Sequence, residues 1–376
     1  MKSRILPSKT ARFYGFSSAI DHVKQFEIGK NDLEKAKTAL QNNPHTALPE
    51  KIAIIRTFYE KKMADLPQPA MIFYKSLHAG PTAFNLEVIG NPRSIADAIL
   101  IETAFVISKE EYPDMLLSVE LNTLGDRESM SKLSRELSAF YRKNWNKVPK
   151  DIRPLYKKDL FESFRTTDSE ALELRMEGPD PIRCLSEQSR QHFKEVLEYI
   201  ENSKIPYAIN HSLLGDLSYG TETVFEIITR TKSGERLVLG NGQRYNGIAR
   251  KYLNKKDVAA IGASLYLKKE SMECAPSTKK EAKSKFFFIQ LGFEAKLQSL
   301  QLLETLRKAN MGVYQSLTKD RMTSQLALAE KMEIPYVIIM GKKEAMEGSV
   351  LVRCMESRCQ DTVMLSELVE YVKGLK

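Results

Sequence analysis

The chain has 376 residues, of which 42% are hydrophobic and 28% charged, and its formal net charge is +9. This composition is typical of a globular protein with two or three domains and excludes a disordered chain. The 4 cysteines fit neither a disulfide framework nor a paired zinc pattern. From the cysteine pattern we expect no metal site. We see no membrane-spanning run and no secretion signal, so we expect a cytoplasmic protein. The positive charge leaves two interpretations open, solubility alone or a nucleic-acid partner.

Apolar spacing along the first two thirds of the chain predicts helices mixed with strands. Helices are predicted at 52–63, 94–108 and 126–145, and from the capping residue Ser186 onward. Strands are predicted at 71–74, 84–90, 116–121, 207–210, 223–230 and 235–240. The pattern favours an antiparallel sheet with helices packed on it, which is an α+β fold.

Composition divides the chain into two units. Residues 268–285 are charged and almost free of large apolar side chains, as in a flexible linker. Before them, residues 1–267 form the larger predicted domain, with a helical insertion at about 126–181. After them, strand and helix alternate over residues 286–376, which predicts a small α/β domain with parallel strands.

Six segments in a consistent order resemble the histidyl-tRNA synthetases, a family of class II aminoacyl-tRNA synthetases. They are ALPE, LEVIG, SVELNTLGDRE, LLGDLSYGTETVFEI, GNGQRYNGI and the C-terminal unit that begins FFFIQLGFEAKL. The resemblance implies a class II synthetase-like antiparallel sheet with helices, and a C-terminal α/β anticodon-binding-like domain that contacts tRNA. It also implies a homodimer, although the family's first motif, at the dimer interface, has no match in residues 1–45.

Members of this family activate histidine with ATP and Mg²⁺, and arginines stabilise the charge on the reacting phosphate. This chain departs from the family at those arginines. Gly215 stands at the arginine of R-G-L-D-Y-Y, His78 lies in the shortened loop that replaces F-R-H-E-R-P, and Lys269 stands at the arginine of G-L-E-R. Lysine keeps the charge but loses the planar fork of a guanidinium. We therefore predict no catalytic residues, no adenylation and no cofactor.

The positions that hold the histidine substrate in the family are better preserved. They are Glu50 in P-E-G-T, Glu87 in C-E-V-F-G, Tyr219 in R-G-L-D-Y-Y, and Arg244 with Tyr245 in G-G-R-Y-D. Gln243 replaces a glycine of the last motif, and Gly220 replaces the second tyrosine of R-G-L-D-Y-Y. Two interpretations are open: a retained small-molecule site, or leftovers that satisfy a buried polar network.

In the C-terminal unit, Arg321 and Gln325 stand where the family's basic helix faces the anticodon, and Lys319 is positioned to add a phosphate contact. A solvated helix face is the competing interpretation of these residues.

The resemblance and its departures predict a divergent paralogue without aminoacylation activity, which acts by binding tRNA or other RNA, a protein partner or histidine. One alternative is a divergent but active histidine–tRNA ligase, which would use ATP and Mg²⁺ with Lys75, His78 and Lys269 in place of the arginines. The other is a histidine sensor like the regulatory subunit of ATP phosphoribosyltransferase. That family normally lacks the C-terminal unit, so the unit disfavours this reading.

Overall fold

The computed structural model describes residues 6–22, 27–63, 69–76, 82–268 and 284–375. Its strands form an eight-stranded and a five-stranded sheet. The strands of the larger sheet are β1 (Ser17–Ser18), β2 (Ala70–Lys75), β3 (Phe84–Ile89), β4 (Leu117–Thr123), β5 (Tyr207–Ile209), β6 (Thr221–Arg230), β7 (Arg236–Arg244) and β8 (Ala260–Leu265). Those of the smaller sheet are β9 (Phe286–Gln290), β10 (Val313–Gln315), β11 (Tyr336–Met340), β12 (Ser349–Cys354) and β13 (Gln360–Met364).

Helices cover the faces of both sheets. They are α1 (Pro7–Phe13), α2 (Ala19–His22), α3 (Lys30–Asn42), α4 (Leu48–Glu60), α5 (Ser94–Glu111), α6 (Arg127–Lys143), α7 (Arg153–Lys158), α8 (Ser169–Met176), α9 (Glu187–Asn202), α10 (Ile248–Leu253), α11 (Phe293–Lys308), α12 (Met322–Lys331), α13 (Lys342–Glu347) and α14 (Leu368–Lys373). The predicted cap of α9 is present, because the Ser186 hydroxyl accepts a hydrogen bond from the Ser189 N–H at 3.2 Å. None of the described helices is long and apolar enough to cross a membrane.

The larger sheet has the strand order β1-β2-β3-β8-β7-β6-β4-β5. Its six inner strands pair antiparallel, and only the short edge strands β1 and β5 pair parallel to their neighbours. The predicted α+β class is confirmed. Helix α5 lies on one face of this sheet, where nearly all of its residues are buried.

Side-chain alternation gives the larger sheet two different faces. On β3, Phe84, Leu86 and Val88 belong to the apolar core shared with α5. Asn85 and Glu87, between them, are buried polar residues on the other face. Polar side chains buried on one face of a sheet must find partners there, and this second face carries the candidate site.

The smaller sheet is mixed, with the order β10-β9-β11-β12-β13. Strands β9, β10 and β11 are parallel as predicted, whereas β12 and β13 are antiparallel. The predicted parallel arrangement therefore holds for the first three strands of this unit, and the last two strands depart from it. The five residues 355–359 that join them are too few for a parallel crossover. Strand β13 itself was not predicted, since most of its residues are exposed and it lacks an apolar alternation.

The two sheets are joined through a polar cluster beside α11. The Tyr14 hydroxyl donates to Glu304 at 2.7 Å and lies 3.4 Å from Glu102, and the Ser203 hydroxyl donates to Glu102 at 2.7 Å. Arg307 pairs with Glu304 at 2.6 Å. Burial raises the pKa of Glu102 to about 7, with the nearby Glu304 charge acting in the same direction.

This cluster predicts a pH-dependent stability. Because the pKa of Glu102 is higher in the folded than in the unfolded chain, its contribution is complete below about pH 4.5 and is lost as the pH rises through 7. Between pH 5 and pH 8 the free energy of unfolding of the wild-type protein should fall. In Glu102→Gln that fall should be smaller by up to about 3 kcal/mol. Urea denaturation at the two pH values measures this. Glu187→Gln, on an exposed side chain, is the control; an equal fall in wild type and E102Q would contradict the assignment.

Candidate functional site

A cavity of about 1000 Å³ opens on the polar face of the larger sheet. Strands β6, β7 and β8 form its base, and the first turn of α4, the loop 212–219 and the segment 155–165 form its walls. Glu50 and Tyr219 line it, as predicted for an amino-acid pocket. Glu87 and Tyr245 are completely buried next to it. The structure therefore brings four of the five predicted pocket residues together.

The Glu87 carboxylate already has a full set of partners from the chain itself. Lys51 Nζ lies 2.5 Å from its Oε1, which also accepts from the Tyr74 hydroxyl at 3.0 Å. Its Oε2 accepts from the Tyr245 hydroxyl at 2.5 Å. Burial raises the pKa of Glu87, while the Lys51 charge and these hydrogen bonds act against the rise. Ion pairing with the lysine satisfies a carboxylate that would otherwise be costly to bury.

Lys51 was missed in the sequence analysis, although it follows Glu50 where P-E-G-T has its glycine. Its side chain is 4% exposed and lines the cavity. Its ammonium lies 5.3 Å from the centre of the Tyr245 ring, within the range of a cation–π contact. A Cβ added to Gly262 would lie 1.9 Å from Glu87 Oε2 and 2.7 Å from Lys51 Nζ, so the ion pair lies directly on strand β8. A cationic group of the chain itself thus lies against both the Glu87 carboxylate and the Tyr245 ring.

The Gln243 side chain joins the loop that carries Gly215 to β7 by two hydrogen bonds. The Gln243 side chain accepts a hydrogen bond from the Asp216 N–H at 2.8 Å and donates to the Asp216 carbonyl at 3.3 Å. Gly215 has φ +61°, and a Cβ there would lie 2.1 Å from Gln243 Oε1. A Cβ on Gly220 would meet the Asp216 carbonyl at 2.8 Å and Gln243 Nε2 at 3.2 Å. Gln243 therefore fills the space that side chains at both glycines would need.

Acidic side chains outnumber basic ones on the described walls of the cavity, five to three. The acidic residues are Glu50, Asp159, Glu162, Asp216 and Glu226, and the basic ones are Lys51, Lys158 and Arg165. Lys51 is paired with Glu87 and Arg165 with Glu162. A polyphosphate site needs fixed cations around it, and the described lining residues carry an excess of acidic groups instead.

Arg244 does not lie in the pocket, and this expectation is corrected. Its Nε donates to Asp97 on α5 at 2.8 Å, and its other nitrogens donate to the backbone carbonyls of Asn91 and Arg93. Burial acts to raise the pKa of Asp97, but the charges of Arg244 and His192 lower it below its usual range. Gln243 faces the cavity, so the next residue of β7 faces away from it. Arg244 holds α5 against the sheet.

Of the predicted RNA contacts, Lys319 and Arg321 are exposed beside the start of α12. Gln325 is completely buried, and its side-chain amide bonds the backbone N–H and carbonyl of Gln290. Its predicted contact with RNA is wrong, because it faces the sheet. His78 and Lys269 lie outside the described residues.

The lock between Gly215 and Gln243 makes a testable prediction. Gly215→Ala should lower the free energy of unfolding by about 2 to 4 kcal/mol, because a left-handed backbone and a steric overlap both penalise the added carbon. In G215A/Q243G the overlap with Gln243 is absent and only the contact with Val224 at 2.9 Å is left, so the double variant should lose about 1 kcal/mol less than the sum of the single losses. Urea denaturation of the four proteins measures this, and strict additivity would contradict the lock.

The chain is similar to several known proteins. The family model of the anticodon binding domain matches residues 285–375. The histidine–tRNA ligase of Dehalococcoides mccartyi is 27% identical over 351 residues, covering 87% of this chain and 81% of the relative. That of Fervidobacterium nodosum is 27% identical over 355 residues, covering 88% and 81%. The crystal structure of apo histidyl-tRNA synthetase from S. aureus matches with a TM-score of 0.52 and 20% identity, covering 97% of this chain and 93% of that one.

Proposed function

Because this chain belongs to the histidyl-tRNA synthetase family, we propose that it is a member without aminoacylation activity that acts by binding RNA. The observation that carries the proposal is the ion pair between Lys51 and Glu87. A histidine at this position would have to displace a buried ammonium and then meet Glu87 with its own positive charge. Breaking a buried ion pair by removing one partner costs about 3 to 5 kcal/mol, which is comparable to a millimolar binding free energy.

The other residues that line the cavity support the proposal that it does not bind ATP. The arginine of R-G-L-D-Y-Y is replaced by Gly215, and the space is filled by Gln243. Among the described lining residues, two of the three basic side chains are paired with carboxylates and acidic side chains are in excess, which disfavours a triphosphate. Loss of one such cation costs on the order of 10²–10³ in rate. We therefore propose that neither ATP nor Mg²⁺ is used.

Of the three binding roles predicted from the sequence, the cavity disfavours histidine, since its own lysine fills the subsite. RNA is favoured by the C-terminal unit, which matches the anticodon binding domain. The relatives act on tRNA by name, and Lys319 and Arg321 are exposed on that unit. A cytoplasmic homodimer is part of the proposal, as expected for this family. A histidine-sensing regulatory subunit is disfavoured by the same C-terminal unit.

If Lys51 closes the position of the histidine, wild-type protein should give no calorimetric signal with histidine at about 1 mM. At that concentration calorimetry detects a binding free energy of about 4 kcal/mol. Lys51→Gly should gain histidine binding, because it frees Glu87 and the Tyr245 face for an imidazolium or ammonium. Lys51→Arg keeps a cation in place and is the matched control, which should stay silent. Thermal melting checks that both variants fold.

Two results would contradict the closed subsite. One is tight histidine binding by the wild-type protein, which would favour the sensor or ligase alternatives. The other is a folded K51G protein that binds no better than K51R.

The RNA surface predicts a salt-dependent affinity for tRNA. Changing Lys319→Ala together with Arg321→Ala should lower tRNA affinity and reduce the slope of log affinity against log salt by about 2 if both groups contact phosphates. Lys342→Ala with Lys343→Ala is the matched control, because these exposed lysines lie on α13, on the opposite face of the smaller sheet. Filter binding at several salt concentrations measures both. Absence of tRNA binding at low salt, or equal losses in the two pairs, would contradict RNA binding here and favour a protein partner.

A further inference from the structure

Two cysteines face each other at the tip of the hairpin formed by β12 and β13. The register of these strands ends at Arg353 opposite Gln360, so the next opposed pair is Cys354 and Cys359. The Cys354 N–H donates to the Cys359 carbonyl at 3.0 Å, and the Cys354 carbonyl accepts from the Arg358 N–H at 3.0 Å, so the hairpin closes at this pair with Arg358 as an extra residue. Residues joined across two antiparallel strands by a backbone hydrogen bond have Cα atoms roughly 5 to 6 Å apart. That separation lies in the range that a disulfide spans.

Both sulfur atoms converge on Ser357 in the connecting turn. Cys359 Sγ donates to the Ser357 carbonyl at 3.8 Å. Hydrogen bonds from the Ser357 side chain and backbone lower the pKa of the Cys354 thiol. Cys359 and the turn residues 356–358 are exposed, and Cys354 is partly exposed, so a reagent in solution reaches the pair. Buried Cys184 differs, because burial raises the pKa of its thiol to about 11.

We propose that Cys354 and Cys359 are a modification site, a dithiol that low-molecular-weight disulfides such as glutathione disulfide oxidise reversibly to an intramolecular disulfide. Cys354 is the attacking group, because a thiolate is the nucleophile in disulfide exchange and the Ser357 hydrogen bonds favour that form of Cys354.

The chemistry balances in two exchange steps. The Cys354 thiolate attacks one sulfur of the small disulfide, which forms a mixed disulfide and releases one small thiolate. Cys359 then loses its proton, attacks the Cys354 sulfur and releases the second small thiolate. Two protein thiols give up two electrons and two protons, and the small disulfide is reduced to two thiols.

The test treats the full-length protein with glutathione disulfide and follows it by mass spectrometry. Trypsin cleaves after Arg353 and Arg358, so the expected product is a disulfide joining peptide 354–358 to peptide 359–373, which dithiothreitol reverses. Cys359→Ser should trap the mixed disulfide on Cys354, and Ser357→Ala should slow the reaction by about threefold, since one hydrogen bond to the thiolate is lost.

The matched control is Cys184→Ser, which should leave the yield of the linked peptides unchanged. Separate glutathione adducts on Cys354 and Cys359 in the wild-type protein would overturn the proposal. So would a pair that stays reduced while another cysteine reacts. This test is independent of RNA binding and of aminoacylation.

Discussion

The ion pair between Lys51 and Glu87 is the interaction on which the proposed function depends. A carboxylate on an inner strand of a sheet, with no exposed surface, needs a charged partner or several hydrogen bonds. In this chain a lysine from the first turn of α4 is that partner, with two tyrosine hydroxyls. The pair stabilises the folded protein without a ligand, but it also fills the subsite. The same interaction therefore satisfies a buried carboxylate and, in the proposed function, opposes histidine binding.

Three further replacements also support the proposal that the site has lost its activity. Gly215, Gly220 and Gln243 differ from the family motifs, and in the structure they lie against one another. The glutamine ties the loop to β7 by two hydrogen bonds, in the space where side chains at the glycines would project. Restoring the arginine alone would create an overlap, so the loss of the cation is built into the packing. Agreement among neighbouring replacements is typical of a sequence adapted to a different role.

Much of the fold could be predicted from the sequence, because strand alternation and the order of motifs are local signals. The site could be predicted only in part. The motif predicts Arg244 in the pocket, but Gln243 faces the cavity and neighbouring residues of a strand face opposite sides, so Arg244 faces away from it. The predicted RNA contact of Gln325 is wrong for a similar reason. The rotation of a short helix about its axis decides which of its residues are buried, and the sequence alone leaves it open. The role of Lys51 depends on Glu87, 36 positions along the chain, and only its departure from P-E-G-T gave a signal.

The central claim is that the site does not activate histidine. Histidine-dependent exchange of pyrophosphate into ATP measures this step directly, without requiring tRNA. The account predicts no exchange above the background seen without histidine, both in the wild-type protein and in G215A. Exchange that depends on histidine and is abolished by Glu87→Gln would contradict it, and would identify the chain as a working histidine–tRNA ligase whose cations lie elsewhere.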